Sequence, residues 1–373
     1  MHILVTTDTL SGVWTYTREL ATGLVSQGIR VTLVSFGEIP LPQETAWMDR
    51  LHGLHYIPTA FRLDWMQEGE QDLKDSRAYL AALVKELKPD VLHLNQMCYG
   101  DLPVDIPRVV FAHGDLISWS KCVHGYEPKE SRWSRWYQDA ISTGLSKASV
   151  VVAPTVWMLD SIRTSYLCPE YDTVIYSGRN PIFFNPYVSK DESVLAVGRL
   201  WDAGKQVSLL TQHKHPVPVC IVDSDAPAHA IGVPIRADVK LSLGEVRVSL
   251  KGPQTEAQLR LLYSRASIYA ATARYEPLGM ATLEAAFSRC AIVANDIPPF
   301  REMWDDTAIY FNANDATSLA VAIRKLSEQR GLCQALGNRA FQRAKECFTA
   351  QRMLDDYLRL YRDLISQRVS TAA

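Results

Sequence analysis

The segment Arg274-Tyr275-Glu276-Pro277-Leu278-Gly279-Met280-Ala281-Thr282-Leu283-Glu284-Ala285-Ala286 decides the reading of this chain. It follows Ile268 to Ala271, an apolar run of strand character, and Pro277 and Gly279 mark a turn before a helix that starts at Met280. Such a helix start leaves the backbone amides of Leu278, Gly279 and Met280 without intrahelical partners, a natural seat for a phosphate. Glu276 then stands in the loop and Glu284 more than one turn inside the helix, so carboxylates on either side can accept hydrogen bonds from hydroxyl groups. Spacing alone is better served by a buried turn carrying two surface glutamates.

Outward from this segment, short apolar runs alternate with helical patterns. In the first half the runs are Ile3 to Thr7, Arg30 to Ser35, Val91 to Leu94, Arg108 to Ala112 and Val150 to Ala153. Leu20, Leu24 and Val25 recur at helical spacing between the first two, with Gly28 as a stop. The grammar restarts after residue 190 with Val194 to Val197, Val217 to Val222, Val246 to Leu250, Ile268 to Ala271, Ala291 to Ala294 and Ile309 to Phe311. Alternation of this kind predicts parallel strands joined by crossover helices, hence two doubly wound α/β domains. Asn180-Pro181-Ile182-Phe183-Phe184-Asn185-Pro186 suits an extended linker, which divides the chain into 1–180 and 187–345. The final stretch carries an apolar stripe of Leu354, Tyr357, Leu358, Tyr361 and Leu364, so the helix of 346–373 is expected to pack back on the amino-terminal domain. Ligands of doubly wound sheets bind at the carboxyl ends of the strands, which is where chemistry is sought.

Composition narrows the function classes. At 373 residues, with 47% hydrophobic and 21% charged residues, the chain has the balance of a globular protein of two cores. Lys plus Arg total 39 against 41 Asp plus Glu, so a net charge of -2 offers no general attraction to nucleic acid. Seven cysteines, spread along the chain without a CxxC pair, predict buried thiols in a reducing compartment and argue against a disulfide framework or a zinc knuckle. Met1-His2-Ile3-Leu4-Val5-Thr6-Thr7 reads as a buried strand, without the cationic start of a signal peptide, and no apolar run approaches the ~18 residues of a membrane span. A cytoplasmic protein is expected, with peripheral membrane contact unsupported.

The segment from Tyr275 to Ala285 strongly resembles glycosyltransferase family 4, whose signature is two glutamates separated by seven residues in a pattern like Tyr-Glu-Pro-Phe-Gly-x-x-x-Leu-Glu-Ala, with Leu278 here in place of Phe. The resemblance implies the GT-B architecture, two Rossmann-like domains facing a central cleft, and a retaining, metal-independent hexosyltransferase. It further implies a nucleotide-sugar donor, most commonly a UDP-sugar, and no cofactor. Glu276 would contact the donor sugar hydroxyls and Glu284 the ribose, with the Leu278, Gly279 and Met280 amides on the diphosphate. The acceptor, a small molecule, glycan or lipid-linked sugar, is not specified.

Other segments resemble the family in the same order. Val197-Gly198-Arg199-Leu200 followed by Lys205 looks like the strand end and basic pair that hold the diphosphate, although Lys205 lies six positions after Arg199 where five is common. Lys251-Gly252-Pro253, with Leu259, Leu262, Tyr263 and Ala266, resembles the loop and helix that shape the nucleobase pocket. Gly12, in Ser11-Gly12-Val13-Trp14, resembles the glycine loop near the transferred sugar, where family members often carry two glycines. His113, at the end of a strand, matches a family histidine that faces the sugar, and is otherwise a core histidine. Glu302, in Arg301-Glu302-Met303-Trp304, is expected to be structural.

Asp223-Ser224-Asp225 has the Asp-x-Asp form of a metal site but follows a strand where the family has a loop away from the diphosphate, so no metal is assigned to it. Gly198 and Gly204 lack the spacing of a dinucleotide site. Trp119, Lys121 and His124, close to Tyr126, Trp133, Trp136 and Tyr137, are candidates for acceptor contact, or else a packed helix pair. The competing readings are another enzyme on the same architecture, such as a nucleotide-sugar epimerase, and a two-lobed sugar-binding protein without catalysis.

Overall fold

A computed structural model describes residues 1–200, 202–223 and 248–372. The chain forms two compact units, the first made of Met1–Lys121, Tyr126–Gly178 and Ala350–Ala373, the second of Cys122–Gly125 and Arg179–Thr349.

The first unit runs β1 (His2–Asp8), α1 (Gly12–Ser26), β2 (Arg30–Phe36), a short α2 (Pro42–Thr45), β3 (Leu54–Pro58), α3 (Glu70–Leu87), β4 (Val91–Leu94), β5 (Arg108–Phe111), α4 (Leu116–His124), α5 (Arg132–Ser146), β6 (Val150–Ala153), α6 (Val156–Ser165) and β7 (Asp172–Val174). Its seven strands are all parallel, in the order β3-β2-β1-β4-β5-β6-β7. Continuous β-branched runs such as Val150 to Val152, buried on both faces, are what a sheet covered by helices requires. β3 and β7 escape the sequence reading because they are half-buried edge strands without a clean alternation.

The second unit continues with β8 (Asp191–Val197), β9 (Val219–Val222), β10 (Val248–Lys251), α7 (Glu256–Arg265), β11 (Ala266–Ala271), α8 (Met280–Phe287), β12 (Ala291–Asn295), α9 (Pro298–Trp304), β13 (Ala308–Phe311), α10 (Ala316–Glu328) and α11 (Arg330–Cys347). The six strands are parallel, in the order β10-β9-β8-β11-β12-β13. Each unit is thus the doubly wound parallel α/β fold expected from the alternation. Of the strand expected over Val246 to Leu250, residues 246 and 247 lie outside the described residues.

Three features differ from the sequence reading. Pro181–Phe183 form one 3-10 turn rather than an extended linker, because the Asn180 side chain accepts from the Ile182 amide and proline needs no partner at the first helical position. Arg179 to Pro186 belong to the second unit. The Arg179 amide donates to the Phe348 carbonyl and Phe184 stacks on Phe287, so the division falls between Gly178 and Arg179. A cut after residue 345 would fall inside α11, and only the final helix α12 (Ala350–Ala372) joins the first unit. There its buried stripe of Met353, Leu354, Tyr357, Leu358, Tyr361 and Leu364 packs on α1, where Gly23 admits Leu354 to within 3.0 Å of the position a Cβ would take. None of the seven cysteines is in a disulfide, but four of them are only half-buried.

Candidate active site

In a doubly wound sheet, ligands bind where adjacent strands send their connections in opposite directions. In the second unit that point lies between β8 and β11, because β8 is flanked by β9 on one side and β11 on the other. The loops leaving these two strands carry Gly198, Arg199 and Lys205, and Glu276 to Met280.

The first loop folds back on its strand immediately after β8. A Cβ at Gly198 would lie 3.0 Å from Val207 Cγ1 and 3.2 Å from Lys205 Cβ, so the reversal leaves little room for any larger residue. Asp202, which the sequence reading passed over, organises the turn. Its carboxylate accepts from Arg199 Nη2 at 2.9 Å and from the Gly204 amide at 2.8 Å, and its carbonyl accepts from the Lys205 amide at 3.0 Å. The second loop is fastened to the first, with the Arg274 amide donating to the Gly204 carbonyl and the Thr272 hydroxyl to the Lys205 carbonyl, both at 2.8 Å.

These constraints bring three of the expected groups together. Lys205 Nζ donates to Glu276 Oε2 at 2.6 Å, and Glu276 Oε1 accepts from the Gly279 amide at 3.2 Å. Gly279 is the N-cap of α8 in the left-handed region, φ 65°, where a residue without Cβ avoids strain. An added Cβ there would also come within 2.8 Å of the Met303 methyl. Leu278 is half-buried and Met280 buried. The Lys205 and Glu276 side chains are 27% and 15% exposed, a partly screened setting in which a charge pair is worth more than at the open surface.

Glu284 lies one turn into α8, and its Oε1 is held by Arg179 Nη2 at 2.9 Å. Arg179 is only 3% exposed, so this is a nearly buried ion pair. The buried Tyr263 phenol is pushed well above its usual range by burial and then by the Glu284 carboxylate beside it. Neither Arg179 nor Tyr263 has a sequence signal of its own at this carboxylate, since both arrive from distant parts of the chain. Lys251 and Gly252 are exposed at the end of β10, two strands out from β8 or roughly 10 Å at ordinary strand spacing, and take no part in the Lys205–Glu276 cluster.

In the first unit the corresponding switch point lies between β1 and β4. Gly12 opens α1 behind Ser11, whose hydroxyl accepts from the Val13 amide, and Asp8 accepts from the Leu10 and Ser11 amides at 2.9 and 2.8 Å. His113 follows β5, and its Nε2 lies 2.7 Å from Asn95 Oδ1. The Asn95 amide nitrogen donates to the Thr6 carbonyl at 2.6 Å, which makes Oδ1 the acceptor and puts the imidazole proton on Nε2. Burial, and then His93, hold the His113 pKa well below 6.5, so the ring is neutral and its buried Nδ1 offers a lone pair with no hydrogen-bond partner. The satisfied core histidine that the sequence left open is therefore satisfied at one nitrogen only.

Trp119 and Lys121 stand on α4 in the first unit, while its last residue, His124, groups with the second. Lys121 is exposed and pairs with Glu127 at 2.9 Å. Trp133 donates to the Met66 carbonyl and lies against Tyr137, itself buried, so this part of the aromatic cluster is helix packing. The Glu302 carbonyl accepts from Arg343. Asp223 Oδ1 accepts from the Leu200 amide at 2.9 Å, whereas Ser224 and Asp225 lie outside the described residues. Among the described residues no group of three or more His, Cys, Asp or Glu is placed to share a metal ion, and no helix is long and apolar enough to cross a membrane.

Two family models match the chain, Glycosyltransferase Family 4 over residues 10–181 and Glycosyl transferases group 1 over residues 234–343. The chain is 27% identical over 292 residues to the alpha-maltose-1-phosphate synthase of Mycobacterium tuberculosis, covering 69% of this chain and 73% of that protein. Among solved structures it is similar to sucrose-phosphate synthase from Thermosynechococcus elongatus, with a TM-score of 0.80, 17% identity, and coverage of 98% of this chain and 100% of that one. It is also similar to Anabaena Alr3699/HepE in complex with UDP-glucose, with a TM-score of 0.72, 15% identity and full coverage of both chains.

Proposed function

We propose, on the premise that the chain belongs to glycosyltransferase family 4 and has the GT-B fold, that it transfers a hexose from a UDP-sugar to an acceptor hydroxyl with retention of anomeric configuration and without a metal ion. That it is a glycosyltransferase follows from the matching family models and from the relatives they agree with, which removes the epimerase and sugar-receptor readings. One observation carries the finer proposal. Lys205, Glu276 and the amide of Gly279, the N-cap of α8, are bonded into one cluster at the switch point of the second unit, with Arg199 on the same turn as Lys205.

Breaking the bond from the anomeric carbon to the β-phosphate oxygen leaves negative charge on the diphosphate. Arg199, Lys205 and the amides at the start of α8 are the groups that would meet it, preorganised by Asp202 and by the ties between the two loops. In the proposed reaction the acceptor oxygen bonds to the anomeric carbon on the face the diphosphate leaves, and its proton passes to the departing phosphate oxygen. No protein nucleophile is assigned. Glu276 would accept hydrogen bonds from the sugar hydroxyls and Glu284 from the ribose. A UDP donor is supported by the similarity in fold to a chain solved with UDP-glucose, and cysteines that form no disulfide support a cytoplasmic setting. Incubation with a panel of nucleotide sugars and acceptors, with products read by the anomeric proton coupling, tests the proposal. Transfer should persist in a chelator with the configuration retained. Inversion, or activity abolished by chelator and restored by magnesium, would overturn the corresponding part.

A further inference from the structure

Glu276 does more at this site than wait for a sugar. Its two carboxylate oxygens lie on two of the groups assigned above to the diphosphate, Oε2 at 2.6 Å from Lys205 Nζ and Oε1 at 3.2 Å from the Gly279 nitrogen. A carboxylate spanning an ammonium and a helix-start amide is bound as a phosphate oxygen would be bound. The Gly279 amide has a single hydrogen, so it cannot serve Glu276 and a phosphate in full at once. Lys205 has three, but two anions on one ammonium would face each other across a partly buried gap. The neighbouring cation has its own internal partner, since Arg199 is paired with Asp202.

We propose that Glu276 is a built-in competitor for the diphosphate, which must displace it from Gly279 and Lys205, and that this displacement frees the carboxylate for the donor sugar. The inference rests on the diphosphate reading of this site and adds its regulation. A sugar lacking the diphosphate would meet Glu276 still engaged, so the cluster selects nucleotide sugars over free sugars by coupling the two halves of the donor. After transfer, return of Glu276 to its two donors favours release of the nucleoside diphosphate.

The test uses the full chain and inorganic pyrophosphate, which carries the leaving group without a base, in titration calorimetry of the wild type, Glu276→Ala and Glu276→Asp. Glu276→Ala removes the competitor. Glu276→Asp keeps its charge but is one methylene too short to span both donors. Both variants should bind pyrophosphate on the order of tenfold more tightly than the wild type, the effect of one charge-assisted contact. Matching melting curves establish that they are folded. Tightening in Glu276→Ala with none in Glu276→Asp would mean simple charge repulsion and would overturn the proposal, as would equal or weaker binding in both. If wild type and variants alike fail to bind pyrophosphate, the diphosphate reading itself falls. If the wild type binds and the variants gain nothing, only the competitor falls.

Discussion

At the scale of single residues, the arrangement separates groups that hold a ligand from groups that hold those groups. Arg199 is 30% exposed and Asp202 12%, a setting like that of the Lys205–Glu276 pair, and one such partly screened pair is a small part of a unit's stability. Its role in the proposed reaction is to keep a guanidinium where charge develops. Arg199→Ala is therefore expected to lower the transfer rate a few hundredfold, roughly 3 kcal/mol of barrier, while the thermal midpoint hardly moves. A variant with near wild-type turnover would remove Arg199 from the leaving-group site. The two glutamates were legible as a pair in the sequence, but their engagements were not. Asp202 sits three residues from Arg199, a spacing at which side chains meet in a turn, and that signal was available. Arg179 was not discoverable in this way, being 105 positions from Glu284.

At the scale of elements, close approaches of backbone explain positions that composition leaves silent. Gly144 lies near the end of α5, buried, against the 3-10 turn at Met97–Tyr99 that follows β4. A Cβ at Gly144 would overlap the Met97 carbonyl, and one at Gly100 would overlap the Gly144 carbonyl, so the obstruction is backbone on both sides. No side-chain rotation relieves it. Gly144→Ala should destabilise the protein by about 1–3 kcal/mol, the range for overpacking a tight core, measured by chemical denaturation. An unchanged midpoint would mean that α5 can shift away from the turn without cost. Helix starts, by contrast, are set by residues next to one another in the chain. Thr255 and Gln258 form a capping box at α7, and the Asp315 carboxylate accepts from the Thr317 and Ser318 amides at α10.

At the scale of the whole molecule, two units with separate cores imply two cooperative transitions rather than one. The proposed diphosphate groups all lie in the second unit, so UDP at about a hundred times its Kd should stabilise that unit's transition by about 2.7 kcal/mol. Scanning calorimetry, with each transition assigned by a core substitution such as Val152→Ala in the first unit, checks this. Stabilisation of the first unit's transition in place of the second's would count against the donor assignment. The sequence by itself determined that there are two doubly wound parallel sheets and where the loop carrying Glu276, Gly279 and Glu284 begins, because hydrophobic period, turn residues and helix starts are local properties. Only the tertiary structure decided that Arg179 holds Glu284 and that Glu276 already grips the Lys205 ammonium and the Gly279 amide. Arg179 and Lys205 are far in the chain from the glutamates they hold, and strand order, which local patterning does not encode, is what sets β8 beside β11.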